Sequence, residues 1–268
     1  MINQQKPKTT FMLVAGHPRS GTTLLNLILN THPDILSLFE FRVFHAMGAR
    51  YDVYKASLRR NWYKRRILKI YKKRFHRQAN ILASGWFRTR YLWALSHHMR
   101  DYISFDIITG CLSSSLPHSP IIGDKYPPYV YNLDRLAQIP SLKRIVIYRD
   151  PRAVVRSATE MSRTNWAGNP EGEKYSTVEK VSKTWVKAIT MMERNRDHIC
   201  TIRYEDLVAN PEKEVRRLGD YLGVAPEGFK LWMVKKDRVH KYVDELSRED
   251  LAIIESIAGP VMRRLGYT

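Results

Sequence analysis

Short apolar runs alternate with longer stretches of helical period along this chain. Phe11-Met-Leu-Val-Ala15 is unbroken and closes on Gly16. A strand covered on both faces needs no polar alternation, so this run predicts a buried parallel strand. Leu24-Leu-Asn-Leu-Ile-Leu29 predicts a helix buried on most sides, stopped at Thr31-His-Pro33 because proline cannot continue it. Ile35-Leu-Ser-Leu-Phe39, Pro120-Ile-Ile-Gly123, Arg144-Ile-Val-Ile-Tyr148 and Ile199-Cys-Thr-Ile-Arg203 predict four more strands. After the Arg144 strand, Asp150 suits an N-cap and Pro151 the first turn of a helix. Within Ser176–Arg196 the positions Val178, Val181, Trp185, Ile189 and Met192 follow a helical period, and Ser176 with Glu179 predicts a capping box. Leu58, Trp62, Ile67, Ile70 and Tyr71 predict a helix within residues 54–77. Further helices are predicted over Trp86–Tyr102, Glu212–Leu222 and Arg248–Leu265. Strands that alternate with helices predict an α/β fold with a central parallel sheet flanked by helices. No internal repeat or linker-like stretch interrupts the pattern. The expected organisation is one domain over residues 1–268, with a helical insertion near residues 45–115.

Composition narrows the chemistry. A chain of 268 residues can bury a large core without staples, and 44% apolar residues argue against wholesale disorder. Two cysteines, Cys111 and Cys200, and no His/Cys cluster at zinc spacing remove a disulfide framework and a cysteine metal site. No run of about 18 apolar residues suggests a spanning helix, and Met1–Thr10 lacks an apolar signal core, so a reduced, cytoplasmic location is expected. The net charge of +19 favours anionic partners. Residues 51–100 hold fourteen Lys/Arg against one acid, Asp52, and so carry +13 of that excess. A solvated helix face would account for it. So would a docking surface for an anionic acceptor or a peripheral contact with an acidic membrane. Trp62, Tyr63 and Tyr71 accompany the charge, but they suit helix packing, and no nucleic-acid-binding module is present, so nucleic acid is disfavoured as a partner.

Gly16-His-Pro-Arg-Ser-Gly-Thr-Thr23 lies between a predicted strand and a predicted helix. It has the glycine and hydroxyl positions of a phosphate-binding loop, with Thr22 where the lysine would stand. Backbone N–H groups and the helix dipole can still cradle a phosphate here. The absent lysine is the group that reaches β- and γ-phosphates, which argues against a nucleotide kinase and for another anionic nucleotide. Arg19 and Ser20 add donors on the loop. Arg149 ends the clearest strand, and Ser157 lies eight residues on; steps of four put both on one side of the next helix, where they can hold a second phosphate.

Together these segments resemble the PAPS-dependent sulfotransferases, where PAPS is 3′-phosphoadenosine 5′-phosphosulfate. Gly16–Thr23 is similar to their 5′-phosphosulfate loop, Arg144–Ser157 to their 3′-phosphate segment, and Tyr204-Glu-Asp-Leu207 with Asn210-Pro211 to a later family segment. The nearest pattern is that of the tyrosylprotein-type enzymes and related bacterial sulfotransferases, through Pro18–Thr23, His32-Pro33-Asp34 and Asp124-Lys125-Tyr126-Pro127. The resemblance implies a P-loop-like fold that transfers the sulfonate of PAPS to a hydroxyl, leaves PAP (3′-phosphoadenosine 5′-phosphate), and needs no metal. It implies cofactor contacts from Arg19, Ser20, Gly21, Thr22, Thr23, Arg149 and Ser157. It places the general base at Glu40, with Arg42 beside the acceptor and Lys125 and Arg19 on the developing charge. His17 is a second candidate for the base and for acceptor contact, disfavoured because a helix N-terminus opposes its charged form. Tyr204 is expected to stack on adenine or to belong to the core. Arg238, His240 and Lys241 form a basic knot that either closes over the 3′-phosphate or is solvated. The acceptor is left open among an anionic glycan, a lipid, a peptide tyrosine and a small metabolite. The tyrosylprotein-type relatives are Golgi membrane proteins with disulfides, and the third arginine of their 3′-phosphate segment is Met161 here.

Overall fold

The structure, a computed structural model, describes residues 9–53, 85–99, 101–168, 170–235 and 245–267. Five strands form one sheet: β1 (Thr10–Ala15), β2 (Ile35–Phe39), β3 (Ile121–Lys125), β4 (Leu142–Tyr148) and β5 (Cys200–Arg203). Their order is β2-β3-β1-β4-β5, and every neighbouring pair is parallel. All five predicted strands are present. Side chains that alternate across β1 explain the unbroken apolar run. Phe11, Leu13 and Ala15 enter the core on one face, while Met12 and Val14 enter the core on the other.

The helices used below are α1 (Thr22–Leu29), α2 (Gly85–Ser96), α3 (Phe105–Ser115), α4 (Pro151–Arg163), α5 (Val178–Arg194), α6 (Tyr204–Ala209), α7 (Pro211–Leu222) and α8 (Arg248–Arg264). α1, α6 and α7 supply Leu25, Ile28, Leu207 and Leu218 to one core. α3, α4, α5 and α8 supply Ile108, Val154, Trp185 and Ile254 to the other. Leu25 and Ile28 are fully buried, and truncating such a residue to alanine costs about 2–5 kcal/mol. Asp150 caps α4 by accepting from the Arg152 N–H, as expected, with Pro151 in the first turn.

Three local expectations change. The helix expected over Trp86–Tyr102 ends at Ser96, and Tyr102 instead bridges Arg50 in antiparallel fashion. A separate helix, α3, follows, started by Ser104, whose hydroxyl accepts from the Ile107 N–H at 3.2 Å. The cap of α5 is Thr177, whose hydroxyl accepts from the Lys180 N–H, and Ser176 turns back to the Glu173 carbonyl at 2.9 Å. The helix expected within 54–77 and the basic knot at Arg238, His240 and Lys241 lie outside the described residues. The same holds for most of the helical insertion.

Candidate active site

A parallel sheet delivers every strand's carboxyl end to one edge, and in open α/β sheets ligands sit there. At that edge β1 leads into the phosphate loop, β2 into Glu40, β3 ends on Lys125, β4 leads into Arg149, and β5 runs into Tyr204. Residues distant in sequence therefore converge because of strand order. β1 is central, with β3 on one side and β4 on the other.

The loop is shaped for close approach. Gly21 has φ +97°, and a Cβ there would sit 2.4 Å from the Tyr204 ring; at Gly16 it would meet the Ile147 carbonyl oxygen at 2.2 Å. Gly21 also caps α1, which has no side-chain cap and no acid in its first turn. The orphan N–H groups of that turn and the helix dipole are thus directed at the loop without internal competition. Ser20 is fully buried, and its hydroxyl has no partner among the described residues. A buried orphan donor on a phosphate loop fits an anionic oxygen of PAPS. Arg19 and Thr23 are exposed, whereas Thr22 is buried.

The two phosphate elements meet directly. The Arg19 Nε donates to the Ser157 hydroxyl at 2.9 Å. Arg149 lies with its guanidinium 4.1 Å from the Tyr204 ring centroid. Tyr204 is buried, covered by Gly21 on one side and Arg149 on another, so its role is to floor the loop and hold Arg149. Its burial fits the alternative of a core tyrosine. The β4 end is braced from behind: the Trp185 indole N–H donates to the Arg149 carbonyl at 3.0 Å, and the Asp150 N–H donates to Glu205, which also accepts from the Tyr267 hydroxyl.

Beside the loop, the Lys125 ammonium donates to Glu40 Oε1 at 2.9 Å and sits 3.4 Å from the centroid of the Phe39 ring. Lys125 is 1% exposed and Glu40 28%, so the carboxylate reaches the cleft from a buried cation. Burial lowers the Lys125 pKa, and the Glu40 carboxylate opposes that shift. The Arg19 charge adds to the lowering. Arg42 lies over the Tyr126 ring at 4.7 Å. Among the described residues, the non-glycine residues with positive φ are Arg19, Glu40 and Arg42, all at this edge. Left-handed backbone at such residues costs of order 1–3 kcal/mol each and persists where the surroundings over-determine it.

His17 stands apart from this group. Its ring is 2% exposed. Nδ1 lies 2.7 Å from the Pro18 carbonyl, which can only accept, so Nδ1 carries the proton and Nε2 accepts from the Thr184 hydroxyl at 3.0 Å. Burial lowers its pKa to about 4, with the Pro18 hydrogen bond opposing. Both nitrogens of this neutral imidazole are engaged inside the core, an arrangement that disfavours acceptor contact from His17. Sequence reasoning missed Asp124 and Tyr129, which lie under the Glu40 loop. Asp124 Oδ1 accepts from the Phe41 N–H at 2.9 Å, and Oδ2 accepts from the Val43 N–H at 3.2 Å and the Tyr129 hydroxyl at 2.5 Å. Among the described residues no group of three His, Cys, Asp or Glu is placed to hold a metal ion. None of their helices is long and apolar enough to cross a membrane.

Comparison with known proteins shows the family and the fold. The family model described as "Sulfotransferase family" matches residues 12–227. Protein-tyrosine sulfotransferase A of Caenorhabditis elegans is 23% identical over 286 residues, covering 96% of this chain and 67% of that protein. The chain thus spans about two thirds of that relative's length. Among solved structures, the sulfotransferase STF9 of Mycobacterium avium superimposes with TM-score 0.52 at 16% identity, covering 97% of this chain and 77% of that one. Mouse SULT7A1 complexed with PAP gives TM-score 0.51 at 11% identity, covering 98% and 88%.

Proposed function

The chain belongs to the sulfotransferase family and is a PAPS-dependent sulfotransferase, and on that premise we propose that Glu40 is its general base and a peptide tyrosine its acceptor. The observation that carries the base is the Glu40–Lys125 pair at the carboxyl ends of β2 and β3. When bound, PAPS supplies the sulfonate that is transferred. The loop from Arg19 to Thr23 and the first turn of α1 hold its 5′ side, and Arg149 with Ser157 holds its 3′-phosphate. Glu40 takes the proton from the acceptor hydroxyl, and glutamate suits this because it is partly solvent-open and fixed at its backbone N–H by the Lys125 carbonyl. Lys125, buried and preorganised, offers its charge to the oxygens on which negative charge develops, where a desolvated cation counts most. Arg42, next to Glu40 and packed on Tyr126, faces the acceptor side. Similarity to protein-tyrosine sulfotransferase A supports a tyrosine hydroxyl as acceptor, and a chain of net charge +19 suits an acidic peptide context.

Glu40→Gln tests the base. Glutamine keeps the shape and cannot take the proton, so PAP binding by calorimetry is retained while kcat falls about 10²–10⁴-fold. Near-normal turnover of a folded Glu40→Gln overturns the assignment. Radiolabelled PAPS offered to a tyrosine peptide, a simple phenol, a sulfatable glycan and a hydroxylated lipid tests the acceptor. Transfer to the glycan or lipid alone rejects the peptide.

A further inference from the structure

Three consecutive residues after β2, Phe41 to Val43, turn their backbone N–H groups toward a single buried carboxylate. Asp124, fully buried at the penultimate position of β3, accepts from the N–H groups of Phe41 and Val43 and from the Tyr129 hydroxyl. A backbone bond from Arg42 to the same carboxylate completes the set. The Tyr129 hydroxyl is itself the acceptor for the Phe44 N–H at 3.1 Å. Successive N–H groups that converge in this way, around a residue in left-handed conformation, make a concave nest for an anion. Here the anion is built into the protein. The loop so held carries Glu40 at φ +57° and Arg42 at φ +62°. Neither is glycine, so this backbone unwinds unless something external holds it.

The register places this carboxylate behind the Glu40 loop. Leu38 pairs with Asp124 and Phe39 with Lys125 across the β2–β3 ladder. Asp124 and Lys125 are therefore adjacent, but consecutive strand side chains leave opposite faces of the sheet. Lys125 reaches Glu40 by its side chain, and Asp124 reaches the loop behind Glu40 through backbone N–H groups. The hydrogen bonds of Asp124 run to Phe41, Arg42, Val43 and Tyr129, none of which belongs to the phosphate loop or α4. We propose that Asp124, seconded by Tyr129, is a positioning residue for sulfonate transfer: it clamps residues 41–44 so that Glu40 and Arg42 face the acceptor, with no part in holding PAPS. This rests on the reading of Glu40 as base.

Asp124→Asn keeps the shape, but one of its two terminal atoms becomes a donor. That atom then faces an N–H or hydroxyl donor, and the clamp loses at least one contact. A small displacement of a base from its working position can cost about 100-fold in rate. The expected result is a kcat about 100-fold lower, with PAP affinity by calorimetry unchanged and amide exchange faster at Phe41, Val43 and Phe44 but not in β1 or β4. Tyr129→Phe keeps the ring and removes only the hydroxyl, so a smaller loss of about 10-fold is expected, again without loss of PAP affinity. It decides the matter if Asp124→Asn does not fold. Turnover equal to the parent in the folded variant, or a fall in PAP affinity matching the fall in kcat, overturns the proposal. Glu40→Gln measured alongside separates the two ideas: its normal turnover would count against the base, a different result from normal turnover in Asp124→Asn.

Discussion

His17 offers a quantitative test of how the phosphate loop is anchored to the body of the protein. Its ring is buried with Nδ1–H on the Pro18 carbonyl and Nε2 facing Thr184 of α5, and its folded pKa is about 4 against an ordinary 6.5. Between these two values the unfolded chain binds a proton that the folded chain excludes. Stability from this group is therefore fully present above pH 6.5, falls as pH drops toward 4, and changes no further below that. A difference of about 2.5 pKa units corresponds to roughly 3 kcal/mol. Replacing His17 with Gln removes the titration while leaving a polar side chain of similar reach. Urea unfolding of parent and variant from pH 7.5 to 4 should show the parent losing about 3 kcal/mol more than the variant, so that subtraction removes every shared carboxylate and histidine. At pH 7.5 the variant should retain turnover, since neutral His17 is committed to the core. A stability gap that does not vary with pH would refute the burial argument. A folded His17→Gln with normal PAP affinity and no turnover would return the base to His17.

Two further outcomes are expected. Gly21→Ala must force φ +97° on a residue with a Cβ, at about 1–2 kcal/mol before any contact, and drive that carbon into Tyr204. PAP affinity by calorimetry and the melting temperature should both fall, and unchanged PAP binding would show that the loop does not need its observed shape. Replacing Lys64, Arg65, Arg66, Lys69, Lys72 and Lys73 together with Gln should leave PAP affinity unchanged, raise KM for an acidic peptide, and flatten the salt dependence of KM; kinetics identical to the parent at low salt would reduce the segment to a solvated face.

The sheet was legible because its strands are covered on both sides, and that burial writes itself as unbroken apolar runs such as Phe11–Ala15 and Ile145–Tyr148. The phosphate loop was legible because glycines are required at Gly16 and Gly21 by contacts only a missing Cβ permits. The boundary near Ser96 was not legible. Apolar residues continue through Met99 and Tyr102 at helical spacing, yet both are exposed, and the chain instead turns to start α3 at Ser104. The cap of α5 was misplaced by one residue because Ser176 and Thr177 carry equivalent hydroxyls, and only the competing bond from Ser176 to Glu173 decides between them. The Glu40–Lys125 pair spans 85 positions and exists only through the β2–β3 register, which periodicity does not contain. Asp124 was hidden for a related reason: a carboxylate at a strand end reads the same whether it faces water or four buried donors.

The two halves of the site are joined beneath the surface as well as across the cleft. α1 begins at the phosphate loop and lies against β2, the strand that leads to Glu40. Ser37 of β2 donates to Asn26 of α1 through its hydroxyl at 2.5 Å, and its backbone exchanges hydrogen bonds with the Asn30 side chain at 2.9 Å in both directions. Asn26, Asn30 and Ser37 are all buried, so loss of any of these contacts leaves an unpaired polar group in the core. The helix that begins at the phosphate loop therefore cannot shift without pulling the strand that leads to Glu40. On the opposite side, Arg19 reaches Ser157 of α4, and α5 holds the β4 end through Trp185. Of the positive-φ residues, Arg19 is held from α4 through Ser157, and Glu40 and Arg42 are both held from β3, through Lys125 and Asp124. That arrangement lets three strained backbones persist at one sheet edge, and it holds the phosphate loop and the Glu40 carboxylate on one frame.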